Sequence, residues 1–174
     1  LNCKQDTLNS YLKNMNIFIV GYSQCGKTTF ATQFRNFKHI SAGGWTKRFG
    51  FDKTDSAYRK KVTEASTAAL KENPDECINY IQEAFKTPGN YVIEGTRNPR
   101  DFLRVFNPTI DVVIFLKPQD VNISNQFDMG VDIIQNCVAW MTNCGMISKA
   151  QVMVEDCHNL NETIKLYNDY YTSF

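Results

Sequence analysis

The sequence predicts an α/β fold in which a parallel sheet of five strands lies between two layers of helices, and three observations predict it. Short apolar runs alternate with stretches of helical spacing along the chain, the trace that strand-helix-strand units leave in a sequence. Asp111-Val-Val-Ile-Phe-Leu116 is apolar without alternation, as a strand covered on both faces must be. Ile17-Phe18-Ile19-Val20 runs directly into Gly21-Tyr22-Ser23-Gln24-Cys25-Gly26-Lys27-Thr28, a glycine-bounded turn between a strand and a helix.

Taken in order, strands are expected at 16–20, 38–41, 90–94, 111–116 and 151–155, and helices at 27–36, 54–72, 75–86, 99–106, 120–142 and 160–172. Their ends are defined to ~2–4 residues. The first helix carries Phe30, Phe34 and Phe37 at amphipathic spacing. Asn73-Pro74 closes one helix, because the residue before proline is pushed out of the helical region. Asp75 opens the next, whose Ile78, Ile81 and Phe85 share a face. Pro88-Gly89 turns the chain into Tyr91-Val92-Ile93, and Asn98-Pro99 reads as an N-cap followed by proline at the first helical position. Met15-Asn16-Ile17 opens the first strand so abruptly that residues 1–14 read as an N-terminal extension or alternative start, leaving 15–174 as one domain. No internal repeat, low-complexity segment or linker interrupts it.

The chain has 174 residues, enough for one domain that buries about 70% of its unfolded surface. Its 43% apolar and 21% charged residues are ordinary globular values, and a formal charge of +1 supplies no field for strong nucleic-acid or membrane attraction. The six cysteines are scattered, without a C-x-x-C pair or interleaved histidines, which argues against zinc and against a disulfide framework. Apolar runs are far shorter than the ~20 residues that cross a bilayer. A soluble, cytoplasmic protein is the expectation.

The Gly21–Thr28 stretch fits G-x-x-x-x-G-K-[ST], a phosphate-binding loop. Gly21 and Gly26 let backbone approach phosphate, and the amides of Ser23, Gln24, Cys25, Gly26 and the following Thr29 point inward at a helix N-terminus. Lys27 reaches β- and γ-phosphates and Thr28 ligates Mg²⁺. ATP and Mg²⁺ are therefore the expected cofactors. Cys25 reads as a variable loop position rather than a redox switch.

Three stretches together resemble nucleoside monophosphate kinases of the adenylate-kinase-like group, with the related dephospho-coenzyme A kinases. They are the phosphate loop, His39-Ile40-Ser41-Ala42-Gly43-Gly44-Trp45-Thr46-Lys47-Arg48, and Tyr91-Val92-Ile93-Glu94-Gly95-Thr96-Arg97-Asn98-Pro99. The resemblance spans roughly 15–172 and implies a three-layer P-loop NTPase fold. It also implies that Ser41 and Gly43 line an acceptor pocket, with Lys47, or adjacent Arg48, on the acceptor phosphate. Glu94 would orient Mg²⁺ through water, and Arg97 would grip the acceptor, a task that suits its planar fork. Surface salt bridging is the other reading of Arg97 and Arg100. His158, in a loop before the last helix, stands where such folds approach the base, and is equally read as an exposed loop residue.

Two departures matter. Gly44 occupies a position where the pattern has an acidic residue, and no arginine follows Arg104. The lid is therefore reduced, since lid arginines neutralise charge during transfer. Arg48, Arg97, Arg100 and Arg104 are the candidates to replace them. The stretch holding Phe127, Val131, Ile134, Val138 and Met141 reads as core packing, with a homodimer face around Trp140 as the alternative.

The expected activity is phosphoryl transfer from ATP to a (deoxy)nucleoside monophosphate, with Lys27, Glu94 and Arg97 catalytic. A hydroxyl acceptor is the second reading: a nucleoside, dephospho-coenzyme A or a hydroxylated base in viral DNA, with Glu94 as base. A nucleotide-binding regulatory protein without efficient transfer is the third. The balanced charge disfavours a long nucleic-acid footprint, and no N-K-x-D guanine motif is present.

Overall fold

A computed structural model describes residues 15–22, 25–117 and 126–156. The expected extension at 1–14, the helix at 160–172, His158, and the loop residues Ser23 and Gln24 lie outside the described residues.

Five strands form one sheet: β1 (Asn16–Gly21), β2 (Lys38–Ser41), β3 (Tyr91–Glu94), β4 (Val112–Lys117) and β5 (Val152–Asp156). Their order across the sheet is β2-β3-β1-β4-β5, and every neighbouring pair is parallel. The helices are α1 (Lys27–Ala31), α2 (Tyr58–Glu72), α3 (Glu76–Phe85), α4 (Pro99–Val105) and α5 (Gln126–Asn143). Two short 3-10 helices, Ala42–Phe49 and Lys149–Gln151, complete the described elements.

The three layers follow from alternation along the strands, whose successive side chains point to opposite faces. Ile17, Ile19, Val92 and Ile114 pack with Phe30, Phe34 and Phe37. Phe18, Val20, Ile93 and Phe115 pack instead against Ile78 and Ile81 of α3, Phe102 of α4, and Val131, Ile134 and Val138 of α5. Phe18 meets the rings of Phe102 and Phe106 edge-on, at 5.5 and 5.6 Å. The apolar spacing within 131–141 is thus core packing, as expected for Val131, Ile134, Val138 and Met141.

The first helix ends earlier than its apolar spacing predicts. Thr32 Oγ1 and Gln33 Nε2 both bond the Thr29 carbonyl, at 3.0 and 3.1 Å, and the Gln33, Phe34 and Phe37 amides each reach back only three residues. Side chains that compete for a helix carbonyl, and tighter turns, stop α1. Its aromatic face survives because Phe30–Phe34 and Phe34–Phe37 stack edge-on, at 5.1 and 5.9 Å. The helix expected from 54 begins at Tyr58, because the Asp55 carboxylate accepts the Ala57 amide at 2.8 Å in a turn of its own. Asn98 caps α4 as expected, accepting the Arg100 amide at 3.0 Å. The 3-10 helix Ala42–Phe49 was not anticipated, since its glycines argue against helix.

Candidate functional site

In a parallel sheet, ligands bind in the crevice outside the carboxyl ends of the strands, where the strand order reverses. Here β1 lies between β3 and β4, and its carboxyl end delivers the Gly21–Thr28 loop. A cleft of about 740 Å³ opens there, walled by the loop, the 3-10 helix, α2 and the segment after β3.

The loop's geometry explains its residues. Gly26 is the N-cap of α1 with φ of 85°, a left-handed conformation that side chains resist. A Cβ on Gly21 would lie 2.6 Å from Cys25 Sγ and 3.1 Å from the Leu116 carbonyl, so a side chain there would force Cys25 aside and press on β4. Lys27 is buried, 6% exposed, with Nζ donating to the Tyr22 carbonyl at 2.6 Å. Tyr22 Oη donates to the Asp132 carboxylate on α5, tying the loop to the neighbouring layer.

Thr28 Oγ1 donates to Glu94 Oε1 at 3.2 Å, and His39 Nε2 lies 3.5 Å from the same oxygen. Glu94 is 4% exposed. A hydroxyl and a carboxylate at this spacing suit Mg²⁺, which takes one or two protein groups and fills its remaining positions with water and phosphate oxygens. No group of three or more side-chain ligands able to hold a metal alone occurs among the described residues.

Gly26, Lys27, Thr28, Thr29, Ser41, Gly43, Glu94 and Arg97 all line the cleft, so three separated sequence stretches converge. Lys47 and Arg48 do not line it. Lys47 is exposed near the end of the 3-10 helix. Arg48 grips Glu76 of α3, with Nη2 2.9 Å from Oε2, and lies 4.6 Å over the Phe49 ring. The two other arginines weighed as lid replacements are also committed elsewhere: Arg100 and Arg104 each reach Asp75 at 2.7 Å. Those contacts hold the Asp75 carboxyl below its ordinary range, the Arg100 bond most of all. For Arg100 the salt-bridge reading therefore holds, and of these four arginines only Arg97 lines the cleft.

Arg59 of α2 also lines the cleft, a position the sequence did not single out. Helix α2 has no buried residue, so its polar sequence lacked the periodicity that would have aimed Arg59. A Cβ on Gly44 would meet the Tyr80 hydroxyl, within 2.9 Å of its ring carbon, so a larger residue at 44 requires the half-exposed Tyr80 side chain to move aside. Gly130 of α5 receives the Arg97 carbonyl where any Cβ would clash. Cys77 lies in the cleft, but burial, aided by the neighbouring Asp101 carboxyl, pushes its thiol up to about 12, which leaves it protonated and unreactive.

No protein-family model and no curated protein matches the sequence. Solved structures with a similar backbone include dephospho-CoA kinase from Campylobacter jejuni, at 13% identity and TM-score 0.39, with 91% of this chain and 95% of that chain covered. Thymidylate kinase from Candida albicans is 13% identical with TM-score 0.38, covering 92% of each chain. An uncharacterized protein from Eubacterium ventriosum is 11% identical with TM-score 0.40, covering 93% of this chain and all of that one, 100%. No described helix is long and apolar enough to cross a membrane.

Proposed function

We propose that residues 15–174 form an ATP- and Mg²⁺-dependent kinase domain that transfers the γ-phosphate to a nucleotide-type acceptor, foremost a (deoxy)nucleoside monophosphate. One observation carries the reading: a single cleft is lined at once by Lys27 and Thr28 of the phosphate loop, by Glu94, and by the arginines Arg59 and Arg97. Phosphoryl transfer needs little covalent chemistry from the protein, only positioning and charge stabilisation.

The loop amides and Lys27 hold the donor phosphates, with Nζ exchanging the Tyr22 carbonyl for phosphate oxygen. Thr28 and, through water, Glu94 would hold Mg²⁺, which when bound neutralises phosphate charge. Arg97 and Arg59 grip the acceptor's phosphate by bidentate bonds, taking the role that the sequence resemblance had given to Lys47. Ser41 and Gly43 shape the acceptor wall. A monophosphate acceptor is already anionic and asks for no strong base.

A hydroxyl acceptor is the second reading, favoured by one specific contact. Glu94 lies 3.5 Å from His39, an arrangement that could take up an alcohol proton. Incubation with radiolabelled ATP, Mg²⁺ and a panel of nucleosides, monophosphates and hydroxylated-base DNA separates these readings. Label on a monophosphate is the expected result, abolished by chelation of Mg²⁺ and by Lys27→Ala. Label on a nucleoside or DNA alone selects the second reading, and ATP binding without any labelled acceptor defeats both.

A further inference from the structure

Two residues at the cleft wall each carry a buried polar atom with no hydrogen-bond partner: Thr96 Oγ1 and Asp101 Oδ1. Both residues are 3% exposed, and both line the same space as Lys27, Arg59 and Arg97. Buried polar groups are nearly always paired, so an orphan inside a binding cleft marks where a ligand atom belongs. Thr96 follows Gly95 at the carboxyl end of β3, and Asp101 stands in the first turn of α4.

Their neighbours are already engaged. Asn98 accepts the Arg100 amide at 3.0 Å, Arg100 and Arg104 are held by Asp75, and Cys77 Sγ donates to the Ala42 carbonyl at 3.5 Å with its thiol also against the Asp101 carboxyl. Burial raises the Asp101 carboxyl, with Arg100 and the Cys77 thiol opposing the rise, and its Oδ1 is left as an acceptor without a partner. A phosphate cannot be that ligand, because a carboxylate repels it, and the cleft's arginines are the groups suited to it. An exocyclic amine fits, offering N–H donors to Asp101 and Thr96. Uracil and thymine fit poorly, since their single ring N–H lies between two carbonyl oxygens that would be driven against the carboxylate. Trp45, 8% exposed, adds an aromatic side chain to the lining, as a planar base would require.

We propose that Thr96 and Asp101 form a base-reading subsite that selects an acceptor with an amino-bearing base over one with uracil or thymine. The proposal rests on the nucleotide-acceptor reading above and narrows it.

The test is calorimetric binding of CMP, AMP, GMP, UMP and TMP to the full chain and to Asp101→Asn, beside the transfer assay. ATP affinity and thermal unfolding report that the variants fold. The tightest ligand is expected to be amino-bearing and to exceed UMP and TMP by about 10- to 100-fold, because a site built for a donor is left unpaired by an analogue lacking it. Asp101→Asn, which presents its own N–H, should shrink or invert that ratio, and Thr96→Val should weaken the preferred ligand by about tenfold. Equal affinity for UMP or TMP, an unchanged ratio in Asp101→Asn, or no binding of any monophosphate overturns the subsite. Discrimination in binding without transfer defeats the kinase reading and keeps the subsite, and transfer without discrimination does the opposite.

Discussion

Arg97 and Arg59 line one cleft, one from the segment after a strand and one from an exposed helix. If both hold the acceptor's phosphate, Arg97→Ala and Arg59→Ala should each lower kcat/KM for the acceptor by about 10- to 100-fold, the worth of a charge-assisted hydrogen bond. The KM for ATP should stay within about threefold in both. Equal losses for the two substrates would remove these residues from acceptor binding. Asp111 permits a second prediction away from the cleft. It is 1% exposed and accepts the Asn16 and Asn107 amides at 3.0 and 2.7 Å, yet burial raises its carboxyl from 3.8 to about 6. The folded state then holds this proton more tightly than the unfolded chain, so the contribution of Asp111 falls as pH rises from 3.8 to about 6. Urea unfolding at several pH values should give wild type a steeper loss across that window than Asp111→Asn, with parallel curves above it. Much at this scale was legible. The meeting of Gly26, Lys27, Thr28, Glu94 and Arg97 in one cleft follows from local patterns at the ends of two strands. The presence of Arg59, Thr96 and Asp101 at the cleft was not legible, because it depends on which segments meet, and Arg48 lies outside it because its partner Glu76 is on a separate helix.

Among the elements, α5 is placed by two contacts to the site, through Gly130 and Asp132. Gly130→Ala forces a methyl group against the Arg97 carbonyl, and overpacking of this kind costs about 1–3 kcal/mol. A lower thermal midpoint together with weakened acceptor use is the expected outcome, readable by calorimetry and by acceptor KM. An unshifted midpoint would show that α5 yields without cost. Element positions were legible where apolar spacing was unbroken, as in β4 and α3. They failed where side chains compete for backbone bonds, as Thr32 and Gln33 do at the end of α1. The 3-10 helix was hidden by glycines, one of which packs beneath the Tyr80 side chain.

For the molecule as a whole, β1 carries both cores, one on each face. Phe18 is fully buried, at 0% exposure, against two other rings. Phe18→Ala should therefore cost about 3–5 kcal/mol, measured as a displaced denaturant midpoint, and a loss below 1 kcal/mol would contradict a close-packed inner layer. The parallel sheet was legible from alternation alone. The strand order was not, because each strand's apolar run fits more than one neighbour, and only the register of the folded chain decides it. The Tyr22–Asp132 and Gly130–Arg97 contacts join the phosphate-loop segment and the segment after β3 to a single turn of α5. If the proposed kinase reading holds, thermodynamic linkage requires reciprocity: by whatever factor ATP alters affinity for the acceptor through that shared helix, the acceptor must alter affinity for ATP by the same factor. Asp132→Asn, which loosens one anchor, should shrink both factors together.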